Sequence, residues 1–216
     1  MYRYILFDLD GTLTDSREGI VRCVRETIAE YGGPVPEEET LLRFIGPPLQ
    51  DSFVRFCGYS PAQAEDAVER FRLRYEPVGQ YENRAAPGMA ELMGRLREAG
   101  RVLALASSKP ENLCVSICAR FGFTPHLSAL VGSPPRGDWE KEDVVREALR
   151  QLEVTDPSQA LMVGDRKFDV LGARACGVDC AGVEFFGYAP PGELEEAGAA
   201  VVVKTPEELE EFILTH

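Results

Sequence analysis

Apolar residues follow two rhythms along this chain. Tyr4-Ile5-Leu6-Phe7 is a short unbroken apolar run, and the pattern predicts a buried strand over 4–8. From about 15 to 77 the spacing becomes helical. Ile20, Val21, Val24, Ile28 and Tyr31 share one face, Asp15-x-x-Glu18 offers a capping start, and Gly32-Gly33 offers a stop. A shorter pair of segments flanks Phe44-Ile45-Gly46-Pro47-Pro48-Leu49. Ser60-Pro61-Ala62-Gln63 then supplies an N-cap, a first-turn proline and a capping-box glutamine. The helix it opens carries Ala67, Val68, Phe71 and Tyr75 inward and ends at Pro77 and Gly79.

From Pro87 onward strands and helices alternate. Helices are expected over 88–99, from Pro110 to about Phe121, over 140–152, through Cys176 and after Thr205-Pro206-Glu207-Glu208. Strands are expected over 101–106, 129–131, 160–163, 180–184 and 200–203. Such alternation predicts βαβ units and a doubly wound parallel sheet with helices on both faces. The expected organisation is an α/β core of residues 1–14 and 85–216, carrying an all-helical insert of residues 15–84. The insert leaves from the carboxyl end of the first strand.

The 216 residues, 44% of them hydrophobic, suffice for one large domain or two small ones. No stretch is apolar enough to span a membrane, and the N-terminus lacks a signal-peptide pattern, which points to the cytoplasm. The net charge of −13 argues against nucleic acid or an anionic membrane as partner, and requires that any anion site be locally positive. Cys23, Cys57, Cys114, Cys118, Cys176 and Cys180 do not have zinc-knuckle spacing, and only His126 and His216 could assist them, so reduced thiols packing as small apolar groups are expected. The pattern specifies no oligomeric state.

Ligands of open α/β sheets bind beyond the carboxyl ends of the strands. Asp8 and Asp10 follow the first strand, Ser107, Ser108 and Lys109 the strand at 101–106, and Asp165 the strand at 160–163, with Asp169 one helical turn later. Taken singly, each has an ordinary explanation as a turn, cap or helix-start residue. Taken jointly, they place carboxylates, hydroxyls and an amine at one level. Converging carboxylates suggest a hard divalent cation, most simply Mg²⁺, which would offset the cost of crowding them. Serine hydroxyls and the N–H groups at the helix start after Pro110 suit phosphate oxygens. A lysine is wanted opposite the metal, and Lys141 is the only one between the strands at 129–131 and 160–163.

The run Phe7-Asp8-Leu9-Asp10-Gly11-Thr12-Leu13 resembles the first motif of the haloacid dehalogenase-like superfamily. Ser107 resembles the second, Lys141 the third, and Gly164-Asp165-Arg166-Lys167-Phe168-Asp169 the fourth. The helical insert resembles the cap of the phosphoglycolate phosphatase-like branch. Ser107-Ser108-Lys109-Pro110 resembles that branch's Thr-Asn-Lys-Pro, with two serines replacing threonine and asparagine.

The resemblance implies a Rossmann-like core and a phosphatase acting on a small phosphorylated metabolite. Asp8 would be the nucleophile and Asp10 the general acid and base. Ser107, Ser108 and Lys141 would bind phosphate. Mg²⁺ would be held by Asp8, the Asp10 backbone carbonyl and Asp165, with Asp169 orienting Lys141 or a metal-bound water. Arg43 and Gly46 in the insert are the candidate substrate contacts. A phosphomutase would share these motifs, but such enzymes usually carry a histidine early in the cap, and residues 15–84 contain none. A dehalogenase would not need Asp10. A silent phosphate- or nucleotide-binding module would not need the complete acid set.

Overall fold

The computed structural model describes residues 1–135 and 139–216. The chain divides into two compact units, Met1–Thr14 with Ala85–His216, and Asp15–Arg84.

The larger unit opens with β1 (Tyr4–Phe7). The chain passes to the smaller unit through β2 (Thr14–Asp15). That unit is helical, with α1 (Arg17–Glu30), α2 (Glu38–Leu42), α3 (Leu49–Cys57) and α4 (Pro61–Tyr75). The return segment, β3 (Arg84–Ala85), pairs with β2 in a two-stranded ribbon. The larger unit resumes with α5 (Met89–Glu98), β4 (Val102–Pro110), α6 (Glu111–Arg120), β5 (Leu127–Ser133) and α7 (Lys141–Gln151). It closes with β6 (Ala160–Gly164), α8 (Lys167–Ala175), β7 (Asp179–Val183), α9 (Glu193–Ala197), β8 (Val201–Val203) and α10 (Pro206–Thr215).

Among the described residues, six strands form one parallel sheet in the order β5-β4-β1-β6-β7-β8. This is the expected doubly wound α/β fold. The unbroken apolar run of β1 follows from burial on both faces, because successive side chains of a strand point to opposite sides. Ile5 and Phe7 join Leu92, Ile117 and Leu209, from α5, α6 and α10. Leu6 joins Val144, Val145 and Val170, from α7 and α8.

In the helical unit the capping box predicted for α4 is formed. Ser60 Oγ accepts the Gln63 N–H, and Gln63 Oε1 accepts the Ser60 N–H at 2.9 Å. The box expected between Asp15 and Glu18 does not form. The helix begins at Arg17, and Asp15 Oδ1 accepts the Arg17 N–H at 3.2 Å. Asp15 Oδ2 takes both Arg84 Nη2 (2.6 Å) and Nε (3.0 Å). The carboxylate thus serves both the helix start, through Oδ1, and the guanidinium, through Oδ2.

Helices α7 and α8 pack where Gly172 faces Lys141. A methyl group at Gly172 would lie 2.7 Å from Lys141 Cγ and 2.9 Å from the Glu142 nitrogen. In an unobstructed helix Gly→Ala stabilises by about 1 kcal/mol. Here Gly172→Ala is expected to destabilise by roughly 1–3 kcal/mol through overpacking, read from urea unfolding midpoints. A more stable variant would show that this contact has room to spare.

Candidate active site

The centre of the sheet brings three strand ends to one level. Phe7 is in register with Leu105 of β4 and Val163 of β6. Asp8 continues this register, its N–H donating to Val163 O at 2.9 Å. The chain then turns back sharply, with the Leu13 and Thr14 N–H groups both donating to Leu9 O at 3.0 and 2.9 Å. Gly11 is required here twice over. Its φ of +88° is poorly tolerated by side chains, and a Cβ would stand 2.1 Å from Asp165 Oδ2. The first turn is thereby folded against the residue that ends β6.

Lys141, the first residue of α7, reaches under these strand ends. Its Nζ donates to Asp8 Oδ1 at 2.6 Å and to Ala106 O at 3.2 Å, and stands 2.8 Å from Asp169 Oδ1. Asp169 has a second task. Its Oδ2 accepts the Arg166 N–H at 3.0 Å, closing the start of α8. Arg166 in turn donates through Nε to Glu193 Oε1 at 2.8 Å, and the Lys167 N–H donates to the same oxygen at 3.1 Å. The loop between β6 and α8 is therefore held from both sides.

The second strand end differs from the sequence expectation. Instead of stopping at 106, β4 runs on to Pro110. Its pairing with β5 passes from Ala106↔Val131 to Pro110↔Ser133, so the intervening residues bulge. Bulges re-aim side chains at sheet ends. Ser107 is buried and its Oγ accepts the Lys109 N–H at 3.4 Å, Ser108 is half-buried, and Lys109 Nζ donates to Asp10 Oδ2 at 2.8 Å. Lys109 had no role assigned from sequence. Its signal in the sequence was its place after the strand at 101–106, level with the carboxylates, in the run Ser107-Ser108-Lys109-Pro110.

Burial sets the electrostatics. It pushes the Asp8 carboxyl up to about 6; Lys141 opposes the shift, and Asp169 and Asp10 add to it. Burial likewise raises Asp165 well above the usual carboxylate range, reinforced by Asp169 and Asp8. For Lys141 burial works against the charge, but Asp169 and Asp8 overcome it and leave the ammonium above its ordinary value. Among the described residues four carboxylates thus face two ammonium groups, and ionising all four would leave a surplus of negative charge that is costly unless something positive joins them.

The residues present fit a divalent cation. Asp8, Asp165 and Asp169 each offer a carboxylate oxygen within 4.8 Å of the others. Both oxygens of Asp165 are buried without a hydrogen-bond partner among the described residues. An all-oxygen, carboxylate-rich donor set suits a hard ion. The Asp10 side chain is not in this group; it turns to Lys109. Arg43 and Gly46 belong to the helical unit. Arg43 caps α2 and pairs with Glu39 at 3.0 Å, and Gly46 has φ +101° in the turn before α3. The six cysteines are free thiols.

The haloacid dehalogenase-like hydrolase family matches residues 5–183. The chain belongs to the haloacid dehalogenase-like hydrolases. A 5'-nucleotidase of Pseudomonas aeruginosa is 42% identical over 194 residues, covering 89% of this chain and 87% of that protein. The tyrosine-protein kinase PtkA of Mycobacterium tuberculosis is 37% identical, covering 97% of this chain and 72% of its own. The crystal structure of a predicted phosphatase from Clostridium acetobutylicum superposes with a TM-score of 0.94 at 35% identity, covering 100% of both chains. Phosphoglycolate phosphatases are also among the relatives, which places the chain in the phosphoglycolate phosphatase-like branch.

The raised Asp8 carboxyl gives a pH signature. In the unfolded chain Asp8 ionises near 3.8, and in the folded chain near 6. The folded state therefore binds the extra proton between these values, and the stability Asp8 contributes below about 4 is lost as pH rises through 6. In chelator-treated protein, the stability of Asp8→Asn relative to wild type is expected to rise from pH 4 to 6, by on the order of 2–3 kcal/mol, and then level off. Urea unfolding of both proteins across that range checks it. A difference independent of pH would contradict it.

Proposed function

We propose that this phosphatase of the haloacid dehalogenase-like family hydrolyses a small soluble phosphomonoester with Mg²⁺, through a phosphoryl group carried on Asp8. The observation that carries this reading is the joint placement of Asp8 against Lys141, at 2.6 Å, beside the buried carboxylates of Asp169 and Asp165, the latter without a hydrogen-bond partner among the described residues. Such a group is costly for stability and has an evident chemical use.

Asp8 attacks phosphorus in line, forming an Asp8–phosphorus bond as the ester bond breaks. Asp10 gives its proton to the departing oxygen, and the alcohol leaves. Asp10 then takes a proton from water, whose oxygen bonds to phosphorus. The Asp8 carboxylate is regenerated and inorganic phosphate is released. Lys141, Ser107 and Ser108 bind the phosphoryl oxygens, and Asp169 holds Lys141 in place at 2.8 Å. Asp8, Asp165 and the Asp10 backbone carbonyl, with Asp169 beside them, would hold Mg²⁺, which would supply the positive charge that lets a carboxylate approach a phosphate dianion.

Substrate choice is assigned to the helical unit as a cap, with Arg43 and the Gly46 turn as contacts. The names of the relatives make nucleoside 5'-monophosphates and phosphoglycolate the first substrates to try. Neither PtkA-like phosphorylation of tyrosine nor nucleic acid binding is part of this reading.

Release of phosphate from p-nitrophenyl phosphate is expected to require Mg²⁺ and to fall at least about 10³-fold in Asp8→Asn. Activity retained in that variant overturns the nucleophile assignment. Independently of activity, millimolar Mg²⁺ is expected to raise the Tm of the wild type and leave that of Asp165→Asn unmoved. An equal rise in both would remove Asp165 from the metal site.

A further inference from the structure

Asp8 and Asp10 each pair with a lysine, Asp8 with Lys141 at 2.6 Å and Asp10 with Lys109 at 2.8 Å. Lys141 comes from the start of α7, and Lys109 from the bulge that ends β4. The two ion pairs differ in what they leave open. Lys141 is shared among Asp8, Asp169 and the Ala106 carbonyl. Lys109 Nζ meets Asp10 at one oxygen, Oδ2, at 2.8 Å, with the lysine side chain 7% exposed. The other oxygen, Asp10 Oδ1, is buried and has no hydrogen-bond partner among the described residues.

We propose that Lys109 is a positioning residue for Asp10, fixing the carboxyl group by Oδ2 so that Oδ1 faces the ester oxygen that must receive a proton. The inference rests on the reading of Asp10 as general acid and base.

Several features support it. An aspartate carboxyl can swing about its Cα–Cβ and Cβ–Cγ bonds, and a proton donor loses rate when it is misplaced by even a fraction of an ångström. Holding one oxygen removes that freedom while leaving the other for chemistry. The lysine is itself held. Its backbone N–H donates to Ser107 Oγ at 3.4 Å, and its carbonyl accepts from Cys114 Sγ at 3.5 Å. The bulge between Ala106 and Pro110 makes this geometry available, because a regular strand would alternate successive side chains to opposite faces. Lys109 touches no phosphoryl oxygen in this scheme and acts only through Asp10.

The test uses the leaving group as a ruler. Phenyl phosphate and p-nitrophenyl phosphate are close in size, but phenoxide leaves poorly and needs its proton, whereas p-nitrophenoxide leaves readily without one. The ratio of their kcat/KM values at saturating Mg²⁺ reports proton donation during ester cleavage. The active fraction of the preparation cancels from it, so partial misfolding of a variant does not blur the result. In Lys109→Met, kcat/KM is expected to fall about tenfold or more for phenyl phosphate and about threefold or less for p-nitrophenyl phosphate. Lys109→Arg, which keeps a cationic donor, is expected to restore part of the ratio. An unchanged ratio in Lys109→Met overturns the proposal, even if both activities drop. Asp10→Asn separates this from the reading beneath it. If that variant skews the ratio and Lys109→Met does not, the positioning role alone falls. If neither skews it, the acid role of Asp10 falls first.

Discussion

One ammonium group under the centre of the sheet carries much of the site. Lys141 Nζ lies within 3.2 Å of Asp8, Asp169 and the Ala106 carbonyl, and so ties β1, β4, α7 and α8 together at one point. Without it the carboxylates gathered there would meet at short range in a medium of low dielectric, where like charges repel by several kcal/mol. With it, one negative charge is bridged to another, yet the cluster remains short of positive charge. That shortfall is one a cation would offset, for the carboxylates and for an incoming phosphate ester alike.

Close packing enforces the arrangement. Gly11 leaves room for the Asp165 carboxylate, and Gly172 for the stem of Lys141. A methyl group at either would displace a charged side chain rather than an apolar one. The backbone of the first turn and the face of α8 are thus shaped around the charges. The raised Asp8 and Asp165 carboxyls mark this point of the fold as one where ionising the carboxylates costs stability.

Much of this was legible in the sequence. The apolar runs and the helical spacing revealed the order of strands and helices, because burial on two faces demands such runs. The motif residues Asp8, Asp10, Lys141, Asp165 and Asp169 stand at element ends where turn and cap residues are common, and their joint order distinguished them. The bulge in β4 was hidden, since Ser107-Ser108-Lys109-Pro110 carries the ordinary marks of a loop and the bulge depends on how β5 pairs alongside. The partner of Lys109 was hidden for the same reason: an ion pair spanning 99 positions depends on tertiary placement. The expected box with Glu18 does not form at Asp15, and the second partner of its carboxylate, Arg84, lies 69 residues away and is not marked by local sequence.

The central claim is that Asp8 carries the phosphoryl group between two half-reactions. It is tested most directly by acid-quenching the wild-type enzyme during turnover of p-nitrophenyl phosphate with Mg²⁺ and weighing its peptides. One added phosphoryl group on the peptide containing Asp8, absent when substrate is omitted and discharged in a chase, is the result expected. The mass addition on a different residue during turnover, or its persistence at Asp8 through the chase, would contradict it.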